Sequence, residues 1–152
     1  MKKICSLLVA LTLSFAMLTG CSSESVDLSS AMTDIKTHCT YELKELSTTD
    51  DLQKYYNINP EDVKQYAAEI YSDSTTRIEI VLVEAVDSEA ADRVNEALTA
   101  TYNSIVNQYA GYNQEKLPLI EACKVTQDGN YVSLIVAENG PELLEVYYTH
   151  IK

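Results

Sequence analysis

Residues 77–86, Arg-Ile-Glu-Ile-Val-Leu-Val-Glu-Ala-Val, alternate apolar with polar at their start and become continuously apolar in the middle. β-Branched side chains in that pattern predict a strand. Next, Ala90, Val94, Ala97, Leu98, Thr101, Ile105 and Tyr109 recur every three or four positions. They form one helical stripe, capped by Asp87 or Ser88 and ending at Gly111. Two more strands are predicted at 119–126 and 131–137, joined through Gln127-Asp128-Gly129-Asn130, whose Asp-Gly pair is a hairpin signal. Asn139-Gly140-Pro141 turns the chain into a last helix with Leu144, Tyr147, Tyr148 and Ile151 facing inward.

The pattern is weaker upstream. Residues 31–56 hold two short helical stretches, and Thr48-Thr49-Asp50-Asp51 reads as an N-cap before Leu52, Tyr55 and Tyr56. Asn59-Pro60-Glu61-Asp62 is a stronger start signal, with a capping Asn, Pro at the first helical position and acids in the first turn. Val63, Tyr66, Ala67 and Ile70 continue at helical spacing, although Tyr66, Ala68 and Ile70 also alternate. Periodicity alone prefers a helix at 63–70. This order of elements predicts an α+β fold: a single small domain with a mostly antiparallel sheet of about four strands, covered on one face by helices.

The first twenty residues follow another logic. Met1-Lys2-Lys3 is positive, and residues 4–18 carry no charge. Fifteen residues span about 22 Å as a helix, short of the ~30 Å hydrocarbon core, so the segment reads as a secretory signal rather than an anchor. It ends in Leu18-Thr19-Gly20-Cys21, which resembles the box of bacterial lipoprotein precursors. The resemblance implies cleavage between Gly20 and Cys21 and lipid attachment at the Cys21 thiol. The alternative is an ordinary cleaved signal with Cys21 a bystander. The expected organisation is a signal peptide at 1–20, a lipidated N-terminus with a polar tether at 21–30, and the folded domain at 31–152.

Charge narrows the partners. The 152-residue chain has net charge −12, and removal of Lys2 and Lys3 with the signal leaves −14. Such a balance excludes a general nucleic-acid binder and repels an anionic membrane surface, leaving the acyl chains as the expected membrane contact. All 11 Tyr lie downstream of the signal, whereas the one Phe, Phe15, lies within it, and Trp is absent. Tyr66, Tyr131 and Tyr147 fall on inward-facing stripes. Tyr112 follows a helix stop and is the candidate exposed binding aromatic, for a glycan or a protein partner.

A second resemblance rests on the order of motifs. Tyr55-Tyr56-Asn57-Ile58-Asn59-Pro60-Glu61-Asp62-Val63 precedes a strand and a charged helix, and Tyr109-Ala110-Gly111-Tyr112 precedes Gly129-Asn130-Tyr131-Val132. Over about residues 50–150 this resembles a family of small lipoproteins, mainly of Gram-positive anaerobes, defined by a domain of unknown function. The resemblance implies one helical turn near 60–64 and then a strand to about Tyr71, against the periodicity. Family members often carry Arg and Gln in the long helix where Thr101 and Ile105 stand here, so no role of those polar residues transfers. No catalytic residue transfers either.

Chemical motifs are sparse. With Cys5 in the signal and Cys21 lipidated, Cys39 and Cys123 remain. They are read either as a disulfide, worth about 4–5 kcal/mol in the chain-entropy model, or as two separate small hydrophobes. Cys-x-x-Cys is absent, and His38, Cys39, Cys123 and His150 lack the close pairing of structural zinc ligands. Gly20, Gly111, Gly129 and Gly140 all have structural readings, which leaves none for a phosphate-binding loop. Acidic clusters fall in first helical turns, where the helix dipole favours them. No cofactor or metal is expected. The functional expectation is a lipid-anchored, extracytoplasmic, non-enzymatic binding or assembly module. The alternatives are a cell-envelope hydrolase using dispersed acidic residues or His150, and a solute-binding lipoprotein, for which the chain is short.

Overall fold

The computed structural model describes residues 26–73 and 76–152. The cleavage site and Cys21 lie outside these residues. Leu28–Thr37 forms α1, Lys44–Glu45 a short β1 and Thr49–Tyr56 α2. A 3₁₀ turn at Pro60–Asp62 leads into β2 (Val63–Ser72), followed by β3 (Arg77–Ala85) and the long α3 (Ser88–Tyr112). Then come α4 (Leu117–Glu121), β4 (Lys124–Asp128), β5 (Tyr131–Val136) and α5 (Gly140–Ile151). The strands form one antiparallel sheet in the order β1-β2-β3-β5-β4. The α+β expectation holds, with five strands for the four anticipated.

Both faces of the sheet are covered, where the sequence predicted one. Val81, Val83, Ala85, Val132, Leu134 and Val136 pack with Leu52 and Tyr56 of α2, with Val94, Leu98 and Ile105 of α3, and with Ile120 of α4. Ile78, Ile80, Leu82 and Ile135 point the other way, onto Leu28, Ala31 and Ile35 of α1 and Leu143 and Tyr147 of α5. Successive strand side chains alternate between faces, so a strand covered twice must be apolar at nearly every position. That accounts for the unbroken middle of β3.

The same geometry settles residues 63–70, which are strand, as the family resemblance implied. Ala68 and Ile70 pack into one core while Ala67 and Tyr71 pack into the other, so apolar positions fall on both faces and blur the period of two. The strand predicted at 119–126 is corrected. Residues 117–121 are helical with Pro118 in the first turn, and the strand starts at Lys124. Pro118 has its φ set for a helix start and no N–H to give to a sheet. α3 runs on through Gly111 to Tyr112 and is capped by Asn113.

Local signals fix the element ends. Asp87 caps α3 through the Ala90 N–H, Thr48 and Asp51 form a reciprocal capping box on α2, and Asn59 caps the 3₁₀ turn. Gly129, at φ +58°, is the first residue of a two-residue hairpin loop, a position that favours glycine. The folded domain begins earlier than the predicted residue 31. Asp27 caps α1, so residues 28–30 belong to the helix.

The sheet has two distinct ends. At one, Gln65 Nε2 donates to the Val26 carbonyl (2.7 Å) and the Val26 N–H donates to the Tyr131 hydroxyl (3.3 Å). This is where the described chain begins. At the other lie the β2–β3 turn, the end of α3 and the start of α5. β3, at about 3.4 Å per residue, separates the two by roughly 30 Å.

Candidate functional site

The end of the sheet far from Val26 collects unspent polar groups and exposed rings. Arg77 opens β3, and Glu79, two residues on, shares its face. Glu79 is 5% exposed, and its Oε1 accepts from Arg77 Nε at 2.6 Å. Its Oε2 accepts from the hydroxyl of buried Tyr56 on α2. Burial and the adjacent Glu79 push the Tyr56 phenol far above its usual range, so it stays protonated and donates. Arg77 Nη1 donates to Gln108 Oε1 (3.2 Å), and the Arg77 backbone N–H donates to the Tyr109 hydroxyl (3.2 Å), both partners lying on α3. The guanidinium is therefore held on two sides. Its Nη2 makes no hydrogen bond among the described residues, and the side chain is 34% exposed.

Arg77 and Gln108 line a cavity of about 100 Å³ with Ser72, Asp73, Tyr109, Tyr112 and others. Asp73 is fixed by the Thr76 N–H (2.7 Å) and the Tyr71 hydroxyl (2.9 Å). Tyr112, predicted to be the exposed aromatic, is 90% exposed on the rim. A second, larger hollow of about 490 Å³ shares Thr76 with the first and reaches Cys39, Tyr41, Ile78, Leu119 and Ala137. Lys116 lies between the two, donating to Thr76 (3.3 Å) and Glu138 (2.6 Å).

Cys39 and Cys123 are free thiols. Cys39, half-buried, donates to Ile35 O at 3.6 Å, and buried Cys123 sits 3.3 Å from Ala137 O and 3.5 Å from Leu119 O. Burial pushes both thiols up, away from the reactive thiolate. Gly140 is required for this packing, since a methyl group there would collide with Cys123 Sγ. His38 at the end of α1 and His150 on α5 both link these two helices, His38 Nδ1 to Glu142 (3.4 Å) and His150 Nε2 to Asp34 (2.8 Å). Among the described residues no group of three or more His, Cys, Asp or Glu converges on a metal position. No helix among them is long and apolar enough to cross a membrane.

Sequence reasoning found Tyr112 and missed Arg77, Glu79, Tyr56 and Gln108. One signal was available: two acids, Glu79 and Glu84, interrupt an otherwise apolar strand, and a buried acid requires a partner. The partners come from α2 and α3, so nothing local in the sequence identifies them.

Comparison with known proteins gives one match. The family model of the domain of unknown function DUF4358 matches residues 37–137. The span holds the whole sheet with α2, α3 and α4, and leaves most of α1 and all of α5 outside. No curated protein and no solved structure matches the chain. With two thirds of its length matched, and the Arg77 cavity inside the match, the chain belongs to the DUF4358 family.

Proposed function

We propose that the protein is a lipid-anchored module on the extracytoplasmic face of the membrane, and that it binds a protein or glycan partner at the end of the sheet bearing Arg77 and Tyr112. The observation that carries this reading is the separation of the two ends. Val26 follows Cys21 by five residues, a reach of at most ~17 Å, which would keep the Val26 end of the sheet near the bilayer. The Tyr112 rim, roughly 30 Å away along β3, would then point outward. The signal-like start and the Leu18-Thr19-Gly20-Cys21 box support the anchor. Partly exposed polar groups around an exposed ring support binding.

Cell fractionation tests the anchor. Cys21→Ser is expected to move the protein from the membrane fraction to the medium or to leave it as uncleaved precursor. In intact cells, added protease should digest the wild-type domain. Unchanged membrane partition of Cys21→Ser, or digestion only after lysis, would overturn the reading.

A further inference from the structure

We propose that the Arg77 cavity is a saccharide subsite: it takes one ring of a neutral, hydroxyl-rich glycan, with Tyr112 as the stacking platform. The inference rests on the reading of this end of the sheet as the binding face, and it names the ligand class.

Three observations narrow the chemistry. The first is charge. Arg77 is paired with buried Glu79 at 2.6 Å, and Asp73 lines the same cavity, so the site carries no net positive charge. The chain around it is strongly acidic. A phosphate or carboxylate ligand would gain little from Arg77 and would be repelled by the rest. A neutral ligand meets neither problem. The second is the kind of group on offer. Arg77 Nη2, Gln108 Nε2 and Ser72 Oγ have no hydrogen-bond partner among the described residues. The first two are planar donors on side chains tied to each other, since Gln108 Oε1 accepts from Arg77 Nη1. Fixed planar donors suit neighbouring hydroxyl oxygens on one ring, because their directions are set before the ligand arrives. The third is shape. About 100 Å³ beside a Tyr ring that is 90% exposed accommodates part of a pyranose, whose C–H face lies on an aromatic ring. A helix or strand of a partner protein would cover a wider surface and need a broader groove.

The buried pair beneath the site explains how Arg77 is held in place. Tyr56 donates to Glu79, Glu79 accepts from Arg77 Nε, and Gln108 accepts from Nη1. That chain fixes the guanidinium rotamer, as a preorganised site requires.

The test uses the full-length protein in a detergent without a sugar headgroup. It is titrated calorimetrically with glucose, galactose, mannose and N-acetylglucosamine, and with β-1,4-linked tetramers of glucose and of N-acetylglucosamine. Binding of at least one, weakened about tenfold by Tyr112→Ala and retained in Tyr112→Phe, is the expected result. Gln108→Ala, also at an exposed position, should weaken it about threefold. Tetramer binding without monomer binding would still support the subsite and identify a polymer as the source. Three results would overturn it: no heat with any saccharide, binding unaffected by Tyr112→Ala, or a protein partner captured through Tyr112 by the same saccharide-blind protein. Because the titration is done in solution, its failure leaves the Cys21 anchor standing, and failure of the anchor leaves the titration standing.

Discussion

Glu79 and Glu84 lie five residues apart on β3, both about 5% exposed, and the protein uses them in opposite ways. Glu84 points to the face covered by α1 and α5. Its Oε1 accepts from Lys64 Nζ at 2.6 Å and its Oε2 from Gln65 Nε2 at 2.5 Å. Gln65 is then used up, donating also to Val26 O and accepting from the Leu28 N–H at 3.5 Å. Gln65 thereby fastens the start of the domain onto the sheet, while exposed Lys64 turns its remaining donors to water. Glu79 points to the α3 face at the other end, and its Arg partner keeps a donor over. A buried carboxylate thus either closes a structure or holds a cation in place for something else. What separates the two is where the partner's other groups go: those of Gln65 tie down Val26 and Leu28, whereas Arg77 lines a cavity.

The largest effect that could break this comparison is removal of each acid in turn. Glu79→Ala strands the Tyr56 hydroxyl and half-buried Arg77, and should destabilise by about 3 kcal/mol. Glu84→Ala should cost about 2 kcal/mol, since Lys64 is 56% exposed and turns to water while Gln65 does not. Urea denaturation of both variants checks the order, and a larger loss at Glu84 would break the comparison.

Two tyrosines sharpen it. Tyr56→Phe removes a hydroxyl that Glu79 accepts from, and should cost about 1.5 kcal/mol. Tyr147 is fully buried on α5, and its hydroxyl has no partner among the described residues. Tyr147→Phe should therefore gain about 1 kcal/mol. Same substitution, opposite sign: thermal melts of the two variants read it directly.

Acid gives the smallest effect. Burial acts to raise the Glu84 carboxyl, but hydrogen bonds from Lys64, Gln65 and Tyr131 and the Lys64 charge hold it below the usual range. The unfolded value is about 4.3, so the unfolded state binds the proton first. Stability from Glu84 is thus full above that pH and falls as pH drops through the lower folded value. Asp62, held down by hydrogen bonds from Arg93, behaves alike. Glu84→Gln should flatten part of the loss below about pH 4.3 in an acid-unfolding series, leaving the Asp62 part.

Much of the architecture was legible because its causes are local. Thr48, Asn59 and Asp87 cap the elements they were expected to cap, and Gly129 turns the hairpin they were read around. The misreading of residues 63–70 has a clear cause: a sheet buried on both faces. It erased the alternation of β2, whereas at 117–121 Pro118 starts a short helix from which Ile120 reaches the core. In the site, Tyr112 was readable from its place beyond a helix stop. Arg77, Gln108 and Tyr56 were not, for their meaning is that they meet.

By itself the sequence determined the order of the elements from β3 to α3 and from the hairpin to α5, the cap residues, the acidic balance and a start that reads as an export address, all properties of short stretches of chain. Tertiary structure decided which faces of the sheet are covered, that Cys39 and Cys123 stay separate thiols, and that one buried acid leaves an arginine donor facing a cavity. Those outcomes depend on residues from 23 to 116 positions apart coming together, and pairing across such distances leaves no periodic trace in the chain.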